Sequence, residues 1–244
     1  MDVAIVTVGD EVLAGETTNT NASWLAGEIA ARGGRVRRIL TMPDDRAAIA
    51  ERVGAWSDAY DGVIVTGGLG GTHDDVTADA IADAFERELA VREEVRSAVV
   101  ETVAAYRDAN PDLVEAHELD IDVTAWASLP AGARYVPNDE GLCPGFVLGN
   151  VYAMPGVPSE VRAIFGRVAD EFAGDGVART LYTPQPEGSM VDTLDRARDR
   201  FDAAVGSYPD TEGHNRLTVR GDDADAVEEA IGWLAERVET VDPE

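Results

Sequence analysis

Three segments of the chain carry residue types whose spacing could do chemistry. The strongest is Thr66-Gly67-Gly68-Leu69-Gly70-Gly71-Thr72-His73-Asp74-Asp75-Val76-Thr77. Four glycines let backbone N–H groups approach an anion closely, and a helix start adds unpaired N–H groups and a partial positive charge. Such a turn can cradle a phosphate. It is not a Walker A loop, since no GK[ST] follows, nor the dinucleotide fingerprint, since GGLGG is not G-x-G-x-x-G. The same residues would also serve a plain strand-to-helix turn in which Thr72 or Asp74 caps the helix. Asp74 and Asp75 are adjacent, so at a helix start they point roughly 100° apart and do not form a simple chelating pair. One would cap while the other reaches a ligand or Mg²⁺.

The second segment is Gly9-Asp10-Glu11 followed by Gly15 to Asn21, where Asn19, Thr20 and Asn21 precede a helix and can cap it or present amides to a ligand. The third is Met154-Pro155-Gly156-Val157-Pro158-Ser159-Glu160, a strand, a rigid turn and a helix N-terminus that together favour an anion. Arg162 is the basic residue nearest to it. His73 lies inside the glycine segment, whereas His117 and His214 read as surface residues. Cys143 has no identifiable base beside it, so covalent catalysis is not expected.

The elements that must position these segments follow from apolar periodicity. VAIVTV (3–8) and DGVIVTGG (61–68) read as buried parallel strands, and RVRRIL (35–40) as a third. Helices are expected over 21–32, from Pro43-Asp44-Asp45 to about 58, over 74–86 and over 93–107. Alternating strands and helices imply an α/β sheet with right-handed crossovers. Residues 108–128, with Trp126, give only a weak helical pattern. Short strands follow at 133–138, 145–149 and 151–156, then a helix over 159–172 with Pro158 in its first turn and Ser159 or Val157 at its cap. Gly174-Asp175-Gly176 marks the domain boundary, giving an α/β domain over 1–175 and a small β-α-β-β-α domain over 176–244.

Composition narrows the partners. The 244 residues include 20 Lys+Arg against 47 Asp+Glu, a formal charge of −27, and every one of the 20 basic residues is Arg. Nonspecific nucleic-acid binding and anionic membranes are therefore disfavoured. Acidity without Lys suggests a salt-adapted cytosol, where a Debye length of about 3 Å or less screens carboxylate repulsion; the alternative is an acidic partner-binding surface in an ordinary cell. One cysteine excludes an internal disulfide framework. The chain shows no signal segment and no apolar run of ~18 residues, so a cytoplasmic protein is expected.

VGDEVLAGETTNTNASWLA, TGGLGGTHDDVTADAIA and GLCPGFVLGNVYAMPGVPSEVRAIF, in this order, resemble the N-terminal domain of the competence/damage-inducible protein A family, which has the molybdopterin-binding fold. SYPD and LTVRGDD resemble the small domain that follows. The resemblance covers about residues 3–172 and implies a three-layer α/β/α core with a mostly parallel sheet, in an oligomer. It implies the stand-alone form, without the amidohydrolase domain that many members carry, so nicotinamide-mononucleotide deamidation does not transfer. Related domains bind molybdopterin at the glycine-rich turn, and some adenylylate it. The competence-protein branch resembles metal-dependent pyrophosphatases acting on ADP-ribose or FAD-like dinucleotides. Gly71 stands where that branch usually has Pro, which loosens the turn, and Val157 stands in a turn usually written PGPP.

The leading expectation is thus a nucleotide pyrophosphatase. Gly67, Gly68, Leu69, Gly70 and Gly71 hold phosphate, with Thr66, Thr72 and Thr77 around them. Asp74 and Asp75 place Mg²⁺, Mn²⁺ or Co²⁺ as catalytic residues. Gly9, Asp10, Glu11, Asn19, Asn21, Pro155, Gly156, Ser159 and Glu160 line the same crevice. The alternatives are a molybdopterin-binding or cofactor-biosynthesis protein using the same residues, and a noncatalytic regulatory protein.

Overall fold

The computed structural model describes residues 1–72, 74–109, 122–209 and 215–242. His73, His117 and His214 lie outside the described residues. The chain divides into two compact units, one of residues 1–31 and 35–172, the other of residues 32–34 and 173–244.

In the first unit the elements run β1 (Asp2–Val8), α1 (Asp10–Leu13), α2 (Thr20–Ala31), β2 (Arg35–Met42), α3 (Arg46–Ala59), β3 (Gly62–Thr66), α4 (Thr77–Ala84), β4 (Leu89–Val91) and α5 (Glu93–Ala109). Then come α6 (Val123–Trp126), β5 (Ser128–Pro130), β6 (Arg134–Val136), β7 (Gly145–Leu148), β8 (Val151–Met154) and α7 (Pro158–Val168). Six strands form one sheet in the order β2-β1-β3-β8-β7-β6. The pairs β1/β2, β1/β3 and β3/β8 are parallel, while β7 runs antiparallel to both β8 and β6. The sheet is therefore mostly parallel.

The continuous apolar reading of β1 and β3 has a direct cause: both faces are covered. Val3, Ile5 and Ile64 point into a core shared with Leu25 and Ile29 of α2 and Ile164 and Phe165 of α7. Val6, Val8, Val63 and Val65 point the other way, onto Ile49 and Val53 of α3, Ile81 of α4 and Val99 of α5. Period-2 alternation thus feeds two cores, and each fully buried Ile or Leu contributes roughly 1.5–3 kcal/mol. The tight connection between β7 and β8 turns on Gly149, whose φ of 59° a side chain rarely adopts.

Helix α4 begins three residues later than the expected 74. The Thr77 backbone N–H donates to Gly68 O at 2.9 Å, and its buried hydroxyl donates to Gly67 O at 2.8 Å, so the first helical residue is pinned to the glycine turn. Neither Thr72 nor Asp74 caps it; the cap position is Val76, which makes no side-chain cap bond. Pro158 opens α7 behind Val157, again without a side-chain cap, so Ser159 does not serve there. The antiparallel pair β4/β5 and the short α6 had no clear periodic signal.

In the second unit, β9 (Val177–Thr183), α8 (Val191–Arg200), β10 (Ala204–Pro209), β11 (Asn215–Gly221) and α9 (Ala224–Ala235) form an antiparallel sheet β10-β11-β9 with two helices. Its core gathers Leu194, Leu217, Val219, Val227 and Leu234. No helix among the described residues is long and apolar enough to cross a membrane.

Candidate functional site

The four parallel strands β2, β1, β3 and β8 all end at one edge of the sheet, the edge where α/β proteins place ligands. A cavity of about 740 Å³ opens there, within the usual range for small-molecule sites. The strand ends supply Gly9, Asp44, Gly67 and Pro155, and the three chemically suggestive segments of sequence meet on its walls. Gly9, Glu11, Asn19, Asn21, Thr66, Gly67, Gly68, Leu69, Gly70, Asp74, Asp75, Pro155, Gly156 and Glu160 line it. Asp10, Gly71, Thr72, Thr77, Ser159 and Arg162 are not among its lining residues.

The glycine turn is shaped by close backbone approach. Gly67 has φ 98° and its Cβ, were there one, would lie 2.1 Å from the Val8 carbonyl oxygen; Gly68 has φ 63°. Only glycine fits both requirements. Thr66 donates its hydroxyl to Pro155 O at 2.7 Å and Gly67 N–H donates to Met154 O at 3.1 Å, tying the β3 and β8 turns together. Asn21 donates to Gly156 O at 2.7 Å from the third side. Asn19 is used structurally: its Oδ1 accepts from Ala22 N–H at the start of α2, and its amide donates to the hydroxyls of Thr7 and Thr41 at 3.0 and 3.4 Å.

Because α4 starts at Thr77, Asp74 and Asp75 lie in a turn and the 100° divergence of helical neighbours does not apply to them. Their carboxylates converge: Asp74 Oδ1 and Asp75 Oδ2 each lie 2.5 Å from Thr72 Oγ1, and Asp75 Oδ2 also accepts from Thr72 N–H at 2.8 Å. A hydroxyl has one proton, so it can serve one of these oxygens at a time. Gly71 owes its identity to a neighbour more than to looseness. A Cβ there would lie 2.5 Å from Nε1 of Trp126.

Three participants had no sequence signal strong enough to single them out. Asp44 follows β2 into the cavity, while its neighbour Asp45 caps α3 through Ala47 and Ala48 N–H. Burial pushes the Asp44 carboxyl above its usual range; the Asp10 N–H that it accepts at 3.0 Å opposes this, and the charges of Asp10, Glu11 and Asp74 add to the rise. Buried Asn138 donates to Glu160 Oε2 at 2.8 Å and to Cys143 O at 2.7 Å, fixing the 138–143 loop and Glu160 together. Burial raises the Glu160 carboxyl against that hydrogen bond. Trp126 is the third. The Cys143 thiol donates to Leu69 O, and burial pushes it well above the ordinary thiol range, which suits a packing role under the turn.

Arg162 does not serve the site. Its guanidinium lies over the Trp24 ring, 5.6 Å from the centroid. The described cavity lining carries six carboxylates, Glu11, Asp44, Asp74, Asp75, Glu140 and Glu160, and no Lys, Arg or His. Among the described residues no group of three or more His, Cys, Asp and Glu side chains stands assembled as a metal site.

Residues 4–173 match the family model described as "Probable molybdopterin binding domain". The chain belongs to that family. Residues 176–242 match the model of the middle domain of FAD synthase. A protein of Archaeoglobus fulgidus is 37% identical over 238 residues, 97% of each chain. A CinA-like protein of Citrifermentans bemidjiense is 34% identical over 261 residues, and that match takes in 98% of this chain but 58% of the relative. The crystal structure of CinA from Thermoplasma acidophilum, a protein whose function is described as unknown, aligns with a TM-score of 0.61 at 27% identity, over 71% of this chain and 100% of that one. Within the molybdopterin-binding domain family, the chain is thus CinA-like.

Proposed function

We propose that this CinA-like chain is a metal-dependent nucleotide pyrophosphatase acting on ADP-ribose or FAD-like dinucleotides. The observation that carries the reading is the cavity's charge. A glycine turn suited to phosphate opens beside six carboxylates, with no described basic side chain on the walls. A bare phosphate would be repelled by such a lining, whereas a phosphate bridged by a divalent cation would be attracted. Asp74 and Asp75, converging on Thr72 Oγ1, are the pair suited to hold that cation. Two carboxylates with the remaining positions left to water and phosphate oxygens is a common Mg²⁺ donor set. When bound there, the ion would neutralise phosphate charge and polarise the anhydride.

The residues of the chain do the positioning. Backbone N–H groups of Gly68, Leu69 and Gly70 would orient the phosphate, since the Gly67 N–H is already spent on Met154 O; Asn21 and Thr66 keep the opposing turn in place, and Glu11, Asp44 and Glu160 line the remainder. Hydrolysis then adds water across the anhydride: a water oxygen–phosphorus bond forms, the bridging oxygen leaves with one phosphate, and two phosphomonoesters result. The match of residues 176–242 to a domain of FAD synthase supports a flavin dinucleotide among the substrates. The test is turnover of ADP-ribose and FAD with Mg²⁺, Mn²⁺ or Co²⁺ in high KCl. No turnover by the wild type, or full turnover by Asp75→Ala, overturns the mechanism.

The family match favours a second reading, molybdopterin binding at the same turn. Calorimetry with molybdopterin against ADP-ribose separates the two. A noncatalytic ligand-binding role corresponds to binding without turnover under every metal. The acidity is proposed as adaptation to a salty cytoplasm, and the oligomer remains a proposal that sedimentation in high KCl would test.

A further inference from the structure

Beyond the strand-edge segments, two aromatic side chains line the cavity, Tyr106 of α5 and Trp126 at the end of α6. Helices α5 and α6 pack on each other. Trp126 stands against the glycine turn: a Cβ at Gly71 would meet its Nε1, Cε2 and Cδ1 at 2.5, 3.2 and 3.3 Å. In this chain the indole takes the space that a larger residue at position 71 would need. Its N–H is buried and finds no hydrogen-bond partner among the described residues. The polar side of the cavity is dominated by carboxylates that suit a cation and phosphate. A neutral heterocycle gains nothing from that charge and needs an apolar or aromatic surface, and base–aromatic stacking supplies one for any planar ring.

We propose that Trp126 and Tyr106 form a ring-binding subsite, in which Trp126 contacts the planar base of a nucleotide whose phosphate lies on the adjoining glycine turn. The subsite rests on the nucleotide reading above and adds to it a specificity-determining residue outside the strand-end motifs. Gly71 then has a defined purpose, since it lets the ring-binding wall and the phosphate-binding turn touch.

The test is calorimetry on the full chain in high KCl with Mg²⁺, titrating ADP-ribose in one arm and inorganic pyrophosphate in the other. Trp126→Leu is expected to weaken ADP-ribose binding about 10-fold or more, the scale of one lost base–aromatic stack, while pyrophosphate affinity stays within about 2-fold. Trp126→Phe, which keeps a ring, is expected to retain most of the ADP-ribose affinity, and Tyr106→Leu to lose part of it. Circular dichroism checks that each variant folds, and Trp126→Phe carries the comparison if Trp126→Leu does not. Equal weakening in both arms would make Trp126 a mere support of the turn and overturn the proposal, as would unchanged ADP-ribose binding in Trp126→Leu. A wild type that binds neither ligand overturns the nucleotide reading and the subsite with it; a wild type that binds without turnover leaves the subsite standing.

Discussion

Gly67→Ala puts the glycine turn under the most direct strain. The added methyl would sit 2.1 Å from the Val8 carbonyl oxygen and 3.2 Å from its carbon, both backbone atoms at the end of β1. Neither can swing aside as a side chain would, because β1 is hydrogen-bonded to β2 and β3 on either side. The φ of 98° adds a further penalty for any residue with a Cβ. A left-handed backbone costs roughly 1–2 kcal/mol and overpacking typically about 1–3 kcal/mol, so the combined loss is about 2–5 kcal/mol. Against a total stability on the order of 5–15 kcal/mol the variant stays largely folded. At about 2–4 °C per kcal/mol for a chain of this size, its Tm in high KCl should fall roughly 5–20 °C. Because the turn must move, affinity for ADP-ribose with Mg²⁺ should fall as well. Gly166→Ala is the control: it lies inside α7 with nothing within 4 Å of a new Cβ, and should stabilise by roughly 0.5–1 kcal/mol. A Gly67→Ala protein with wild-type Tm and wild-type affinity would refute the close approach of β1 and the turn.

Thr77→Val keeps the shape of a buried side chain but removes the donor to Gly67 O at 2.8 Å; leaving that carbonyl unpaired should cost about 1–3 kcal/mol by urea denaturation, and a loss near zero would contradict the pinning of α4 to the turn. Glu160 is raised by burial, so the stability that it contributes is fully present below the ordinary carboxylate range and is lost as pH rises through its elevated folded value. Glu160→Gln can still accept from Asn138, and its Tm relative to wild type should therefore climb across that pH window; parallel Tm–pH curves would contradict the burial argument. With a formal charge of −27, Tm and activity should decline together when KCl is lowered from molar to 0.1 M, where the Debye length grows to about 10 Å. Full stability at low salt would refute salt adaptation.

What could be read in advance was whatever depended on neighbours in sequence. The apolar runs of β1 and β3 announced strands covered on both faces, and the glycines after β3 announced a turn at the edge of the sheet where the cavity opens. Asp74 and Asp75 were expected in the first turn of a helix that begins three residues later, because the hydrogen bonds that set the start of α4 at Thr77 come from Gly67 and Gly68, ten and nine residues earlier. Asp44 looked like part of a helix cap, and only the parallel pairing of β2 with β1 carries it to the cavity edge. Arg162 looked like the cation nearest the third segment, yet its position on α7 turns it onto Trp24. Asn138 and Trp126 act through contacts 22 and 55 residues away along the chain, with Glu160 and Gly71, and no local pattern encodes such distances.

The central claim is that this carboxylate-lined cavity accepts a phosphate-bearing ligand only together with a divalent cation. Calorimetric titration of ADP-ribose into the wild-type protein, in high KCl with either Mg²⁺ or EDTA, measures this directly. The expected result is binding with Mg²⁺ that is at least 10-fold weaker with EDTA, with the difference largely abolished in Asp75→Ala. Equal affinity with and without the cation would contradict the claim.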